Sequence, residues 1–152
     1  MLFALSMKMS TKGRYGLRVM VELASRFGRG PVLVEDIAKT QEISGKYIHV
    51  LVAGLKSAGL ACAVRGPNGG YALTRSPATI TALDVVSALE GKSSPVQCVA
   101  DASYCPRAGR CATRDVWCEV AAAVDGVLSN LTLEQLSMRQ RVKQEAPLTY
   151  YI

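Results

Sequence analysis

The chain has 152 residues, enough for one domain with at most a short appendage. Hydrophobic residues make up 49% and charged residues 20%, which excludes a disordered chain, and no apolar run approaches the roughly 20 residues that span a bilayer. The net charge of +6 is unevenly placed: residues 1–75 carry eleven Lys and Arg against four Asp and Glu, whereas residues 76–152 carry seven against eight. A basic half joined to a near-neutral half suggests a module that faces a polyanion, followed by something else.

The opening MLFALSM is too short for a signal-peptide core. Residues 1–8 therefore read as a frayed extension, or as an upstream start before Met7 or Met9. Nothing directs export, so a cytoplasmic location is expected, with the five cysteines as thiols or metal ligands rather than disulfides. Ser10 or Thr11 suits the N-cap of a first helix. Leu17, Met20, Val21, Ala24 and Phe27 recur along it at helical spacing, and Gly28, Gly30 and Pro31 end it. A short helix over Val34–Gln41 follows. Ser44 then caps a third helix with Ile48, Leu51, Val52 and Leu55 on one face, stopping at Gly59. Two short helices with a tight connection, the second amphipathic, form a helix-turn-helix pattern.

Ala61–Arg65 and Tyr71–Thr74 read as strands around the turn Gly66-Pro67-Asn68-Gly69-Gly70. A basic hairpin directly after a helix-turn-helix is the arrangement of a winged helix. Thr81 caps a further helix through Leu89, ended by Gly91. Residues 92–112 lack periodicity and hold three cysteines. A longer helix is expected from Thr113 to near Asn130, and Trp117, Val120, Val124, Val127 and Leu131 follow a 3, 4, 3, 4 spacing like a short self-association seam. Thr132 caps a last helix through Glu134–Arg141. The fold class is thus mainly α, with a two-stranded wing. Its parts are a DNA-binding domain (9–90), a cysteine-bearing sensor loop (91–112), a dimerisation helix with a C-terminal helix (113–145) and a loose tail (146–152).

With one stripe of the third helix buried, Ser44, Lys46, Tyr47 (in part), His49 and Ala53 face outward, where a recognition helix meets base edges in the major groove. Arg65 and Asn68 stand at the wing, where an arginine can enter a narrow minor groove. Lys12, Arg14 and Tyr15, with the amides of the first helix start, suit phosphate contacts. His49 is the only histidine and lies about fifty residues before the cysteines, on an exposed face. That favours DNA contact or plain exposure over metal ligation.

Cys98, Cys105 and Cys111 are separated by six and five residues, with Cys118 a further six beyond. Structural zinc sites use tighter pairs, whereas wider spacing lets a loop wrap a larger object such as an iron–sulfur cluster. Arg107, Arg110 and Arg114 would help keep thiolates ionised. Unligated thiols remain the plainer alternative. Cys62 stands apart in the first strand as a small buried hydrophobe. Cys118 reads as packing more readily than as a fourth ligand. Paired carboxylates, a Ser/His/Asp set and a nucleotide-binding glycine motif are all missing, which argues against an enzyme.

Taken together, MKMSTKGRYGLR (7–18), EDIAKTQEISGKYIHVLVAGLKSAGL (35–60), VRGPNGGYAL (64–73) and the Cys98/Cys105/Cys111 loop resemble the IscR/NsrR/CymR family of bacterial winged-helix regulators, over about residues 7–141. The resemblance implies a homodimer paired through the long C-terminal helix on a roughly palindromic double-stranded DNA operator. It implies no membrane and no small-molecule substrate. It also implies that Cys98, Cys105 and Cys111 hold an iron–sulfur cluster whose state alters operator affinity, [2Fe–2S] being preferred over [4Fe–4S], and that Arg65 is the wing arginine. The genes governed in such a family concern cluster assembly, iron, nitrosative stress or cysteine metabolism. Two positions depart from the pattern. Arg114 stands where IscR-like proteins place a histidine ligand, and Arg14 where NsrR-like proteins use an aspartate. The fourth ligand is left open among Asp101, Asp115, Glu119 and Cys118. His49 takes a position often acidic in IscR-like proteins, which suggests a different operator preference. The alternatives are a cluster-free regulator working by thiol oxidation or a protein partner, and a structural zinc site.

Overall fold

The computed structural model describes residues 9–91 and 94–146, so the expected extension at 1–8 and the tail beyond Ala146 lie outside the described residues. Among the described residues, seven α-helices and two strands follow in the order α1 (Thr11–Ser25), α2 (Val34–Gln41), α3 (Gly45–Ser57), β1 (Ala61–Val64), β2 (Gly70–Leu73), α4 (Ala82–Glu90), α5 (Gln97–Ala100), α6 (Ala112–Ser129) and α7 (Leu133–Glu145). No described helix is long and apolar enough to cross a membrane. The fold is the winged helix-turn-helix that the sequence predicts.

Local chemistry sets most of the boundaries. The Ser10 hydroxyl accepts from the Gly13 amide, and Ser44 does the same for Tyr47, each satisfying an amide that the first helical turn leaves unpaired. Thr81 and Thr132 each make a reciprocal capping box, with Asp84 and Gln135. Helix α2 ends at Glu42, which takes the left-handed conformation at φ 54° and turns the chain sharply into α3.

The core joins Val19, Met20 and Leu23 of α1, Ile37 of α2, the Ile48/Leu51/Val52/Leu55 face of α3, Val85 and Leu89 of α4, and Leu133 of α7. The expected inward face of α1 needs correction. Phe27 lies beyond the helix and is exposed, and Leu17 and Val21 are only half-buried, while Gly13, Gly16, Val19 and Glu22 are buried. The cause is that α1 packs against α3, α4 and α7 together, so more than one stripe is covered. Cys62 is likewise half-buried rather than fully buried. The strands run Ala61–Val64 and Gly70–Leu73, paired antiparallel from Ala61↔Leu73 to Val64↔Gly70. They are one residue short of expectation at Arg65, and the second is shifted to begin at Gly70.

The wing has a third member. Val32 bridges Tyr71 through two hydrogen bonds, of 2.8 and 2.9 Å. Gly70, at φ 152°, permits this approach, since a Cβ there would lie 2.1 Å from the Val32 carbonyl oxygen. The region over 94–111 consists of short turns around α5 rather than an unstructured loop. Helix α6 begins at Ala112, with Cys111 as its N-cap, and stops at Ser129. Leu131 therefore sits outside the helix that was expected to carry it. Its carbonyl instead accepts from Ala82, while Leu133 donates to Ile80, which ties the α6–α7 turn to α4.

Candidate nucleic-acid interface

Three elements meet along one surface through aromatic contacts. The Tyr15 ring of α1 packs edge-on against Tyr47 of α3, centroids 6.1 Å apart. Arg14 and Arg18 lie over the Tyr15 ring at 5.7 and 5.2 Å. Farther along α3, His49 meets Tyr71 of the wing edge-on at 5.9 Å, with Nδ1 2.7 Å from the Tyr71 hydroxyl. Side chains of α3 thus meet the start of α1 at Tyr47 and the base of the wing at His49.

Behind this surface a polar network holds α1 to α2 and the turn after it. Arg18 donates to the Gln41 side chain at 3.2 Å and to the Gln41 carbonyl. Gln41 donates to buried Glu22 at 3.0 Å, and Glu22 also pairs with Arg26. A buried carboxylate with these partners is compensated, and it fixes the angle at which the helix-turn-helix meets α1.

Lys12, Arg14, Ser44, Lys46, His49, Arg65 and Asn68 are all exposed, whereas Tyr15 and Tyr47 are half-buried in their mutual contact. Two features escaped the sequence. His49 is hydrogen-bonded to the wing rather than free. Val50, 52% exposed, stands beside it on the outward stripe, placed as an apolar group that could meet a thymine methyl. The outward spacing of Val50 was readable; its burial state was not, because Val is ordinarily assigned to cores.

The cysteines form the other candidate site. Cys98 lies on α5, Cys105 in the turns after it, Cys111 at the α6 N-cap and Cys118 one turn and a half into α6, all half-buried. The Thr113 hydroxyl, 3.2 Å from the Cys111 sulfur, holds that thiol below the usual range, helped by the Arg114 amide and the Arg107 charge. Ser103 similarly holds Asp101 below the usual carboxylate range. Arg114, at the position where a histidine ligand was sought, donates to the Cys98 carbonyl at 2.9 Å and so clamps α5 onto α6. Three thiols within one segment suit an iron–sulfur cluster by donor type. Among the described residues, however, no three His, Cys, Asp or Glu side chains are gathered so as to hold a metal ion. The donor chemistry fits, and the segment would have to close for the arrangement to fit.

Helix α6 contains no fully buried residue. Trp117, Val120, Val124 and, past the helix, Leu131 are half-buried, and Val127 is 62% exposed.

The Rrf2 profile, described as an iron-dependent transcriptional regulator, matches residues 9–139. The chain is 42% identical to the HTH-type transcriptional regulator CymR of Bacillus subtilis, over 95% of this chain and 99% of that one. Among solved structures, it is similar to T. potens IscR, with a TM-score of 0.76 and 35% identity over 93% of this chain and 94% of that one. It is also similar to an oxidised form of Staphylococcus aureus CymR, with a TM-score of 0.69 and 39% identity over 86% and 96%.

Proposed function

Because the chain belongs to the Rrf2 family of transcriptional regulators and is not an enzyme, we propose that it is a homodimeric repressor whose cysteine segment sets its affinity for a double-stranded DNA operator. The observation that carries the DNA part is the pair of side-chain contacts that tie α3 to the start of α1, at Tyr15–Tyr47, and to the wing, at His49–Tyr71, with Arg14 over the Tyr15 ring. Residues 9–90 bind DNA in this reading, with Ser44, Lys46 and His49 facing base edges. Lys12, Arg14 and Tyr15 position the protein on phosphates, and Arg65 and Asn68 enter or flank a minor groove. Residues 113–145 pair the two copies. Replacing Arg65 by Ala should weaken binding and lower the slope of log affinity against log salt by about one if that contact is to a phosphate, or relax preference at one position if it reads the minor groove. A variant that binds every sequence and salt concentration as the parent does would remove Arg65 from the interface.

For the sensor, Cys98, Cys105 and Cys111 would hold an iron–sulfur cluster. The three-thiol donor set and the family's description as iron-dependent support this. When bound, the cluster supplies a redox- and iron-responsive group. The chain's own part is mechanical: Cys98 and Cys105 lie in the segment that Arg114 clamps to α6, and α6 packs on α4 of the DNA-binding domain. Coupling of about 1–3 kcal/mol along this route would change operator affinity about 5- to 150-fold. A second reading, sensing by thiol oxidation, is favoured by Cys111 at the α6 N-terminus beside Thr113, and by the oxidised form known for a similar protein. Anaerobic purification with an ultraviolet–visible spectrum and iron, sulfide and zinc analysis separates the two. A brown sample with matched iron and sulfide is expected. A colourless sample that also fails reconstitution moves the cysteines to zinc binding or thiol sensing, according to its zinc content.

A further inference from the structure

We propose that Tyr71 of the wing positions His49 of the recognition helix as a one-way hydrogen-bond donor that reads a major-groove acceptor, and so refuses cytosine, in each operator half-site. The inference rests on the DNA-binding reading above. Tyr71 is held firmly: its amide and carbonyl both bond Val32, and Gly70 before it makes that approach possible. Its hydroxyl reaches His49 Nδ1 at 2.7 Å. A phenol hydroxyl is a good donor, and its oxygen is a poor acceptor because a lone pair is shared with the ring. An imidazole nitrogen lone pair is a good acceptor. Of the two ways to share a proton across this short O···N contact, phenol donor strength and imidazole acceptor strength favour Tyr71 as the donor and Nδ1 as the acceptor.

A neutral imidazole with Nδ1 as acceptor carries its hydrogen on Nε2. His49 is exposed, and its outward neighbours on α3, Lys46, Val50 and Ala53, offer Nε2 no acceptor. The ring thus presents a single donor to whatever enters the groove. In the major groove the purine N7, guanine O6 and thymine O4 are acceptors, whereas the cytosine amino group is a donor and is refused. The wing sets the polarity of a base contact made from another element.

The test is enrichment of DNA from a randomised library by the full-length protein and by His49→Ala and Tyr71→Phe. The parent should exclude cytosine at one position per half-site. Both variants should flatten that preference by roughly three- to tenfold, the worth of one neutral hydrogen bond, and leave the other positions alone. Tyr71→Phe keeps the backbone bridge to Val32, so a fold loss is not expected, and His49→Ala changes an exposed side chain. The proposal is overturned if His49→Ala enriches the same sequences, or loses affinity evenly across sequences as a phosphate contact would. It is also overturned if Tyr71→Phe keeps the full preference. A parent protein that enriches no DNA would instead overturn the DNA-binding reading, and this inference with it.

Discussion

A methyl group at Gly16 would lie 2.0 Å from Leu89 Cδ1, and one at Gly13 would lie 2.0 Å from Glu90 Oε1. The two distances are equal and the consequences are not. Leu89 is buried against α1 and α3, and has no free space to swing into. Glu90 is half-exposed; it can rotate outward, losing the 2.6 Å hydrogen bond it accepts from Ser10. Alanine gains about 1 kcal/mol over glycine in a helix interior, while overpacking a core costs about 1–3 kcal/mol. Gly16→Ala should therefore destabilise the protein by up to about 2 kcal/mol, and Gly13→Ala should fall near neutral or slightly above the parent. Urea denaturation of both variants checks this. Equal midpoints would mean that α4 shifts freely along α1, and the close contact would not be what spaces the two helices.

Among the elements, those defined by near neighbours in the chain were legible in advance. Helix α3 was set by the Ser44 cap, four apolar residues at helical spacing and Gly59, all within one short stretch, and the structure buries those same four. Helix α2 and the capping threonines at 81 and 132 were legible for the same reason. What escaped depends on distant partners. The buried side of α1 includes two glycines and a glutamate, which a hydrophobic pattern cannot register, because their burial is imposed by α4 and by Gln41. The Val32 bridge and the His49–Tyr71 hydrogen bond join residues far apart in sequence. The helix turns over 97–110 are too short to show a period. The seam ran through a helix end because Leu131 continues the spacing, yet the backbone is already turning into the Thr132 cap. For the site, residue types on the DNA surface were readable from exposure on a helix; the tie between recognition helix and wing was not. The cysteines were readable as a set, but not the clamp from Arg114.

At the scale of the whole molecule, the described chain leaves an apolar surface without a partner. Residues 9–90 share a closed core with Leu133 of α7, whereas α6 runs over 18 residues without one that is fully buried. Val116 and Val127 on α6 are 54% and 62% exposed. Covering such a face with a second copy removes it from water and sets two basic halves side by side, as a two-half-site operator requires at a spacing of about 34 Å. Val127→Glu tests the proposed dimer. The position is open in one copy, so the protomer should keep its stability. In the pair, the charge is repeated by symmetry, and stripping water from an unpaired charge costs about 3–5 kcal/mol. Sedimentation should show a monomer where the parent is a dimer. Binding to the two-half-site operator should drop to the level of a single half-site, with the sequence preference of each half unchanged. If Val127→Glu sediments and binds as the parent does, the copies pair elsewhere. The α6 face would then not be the route from the cysteine segment to DNA.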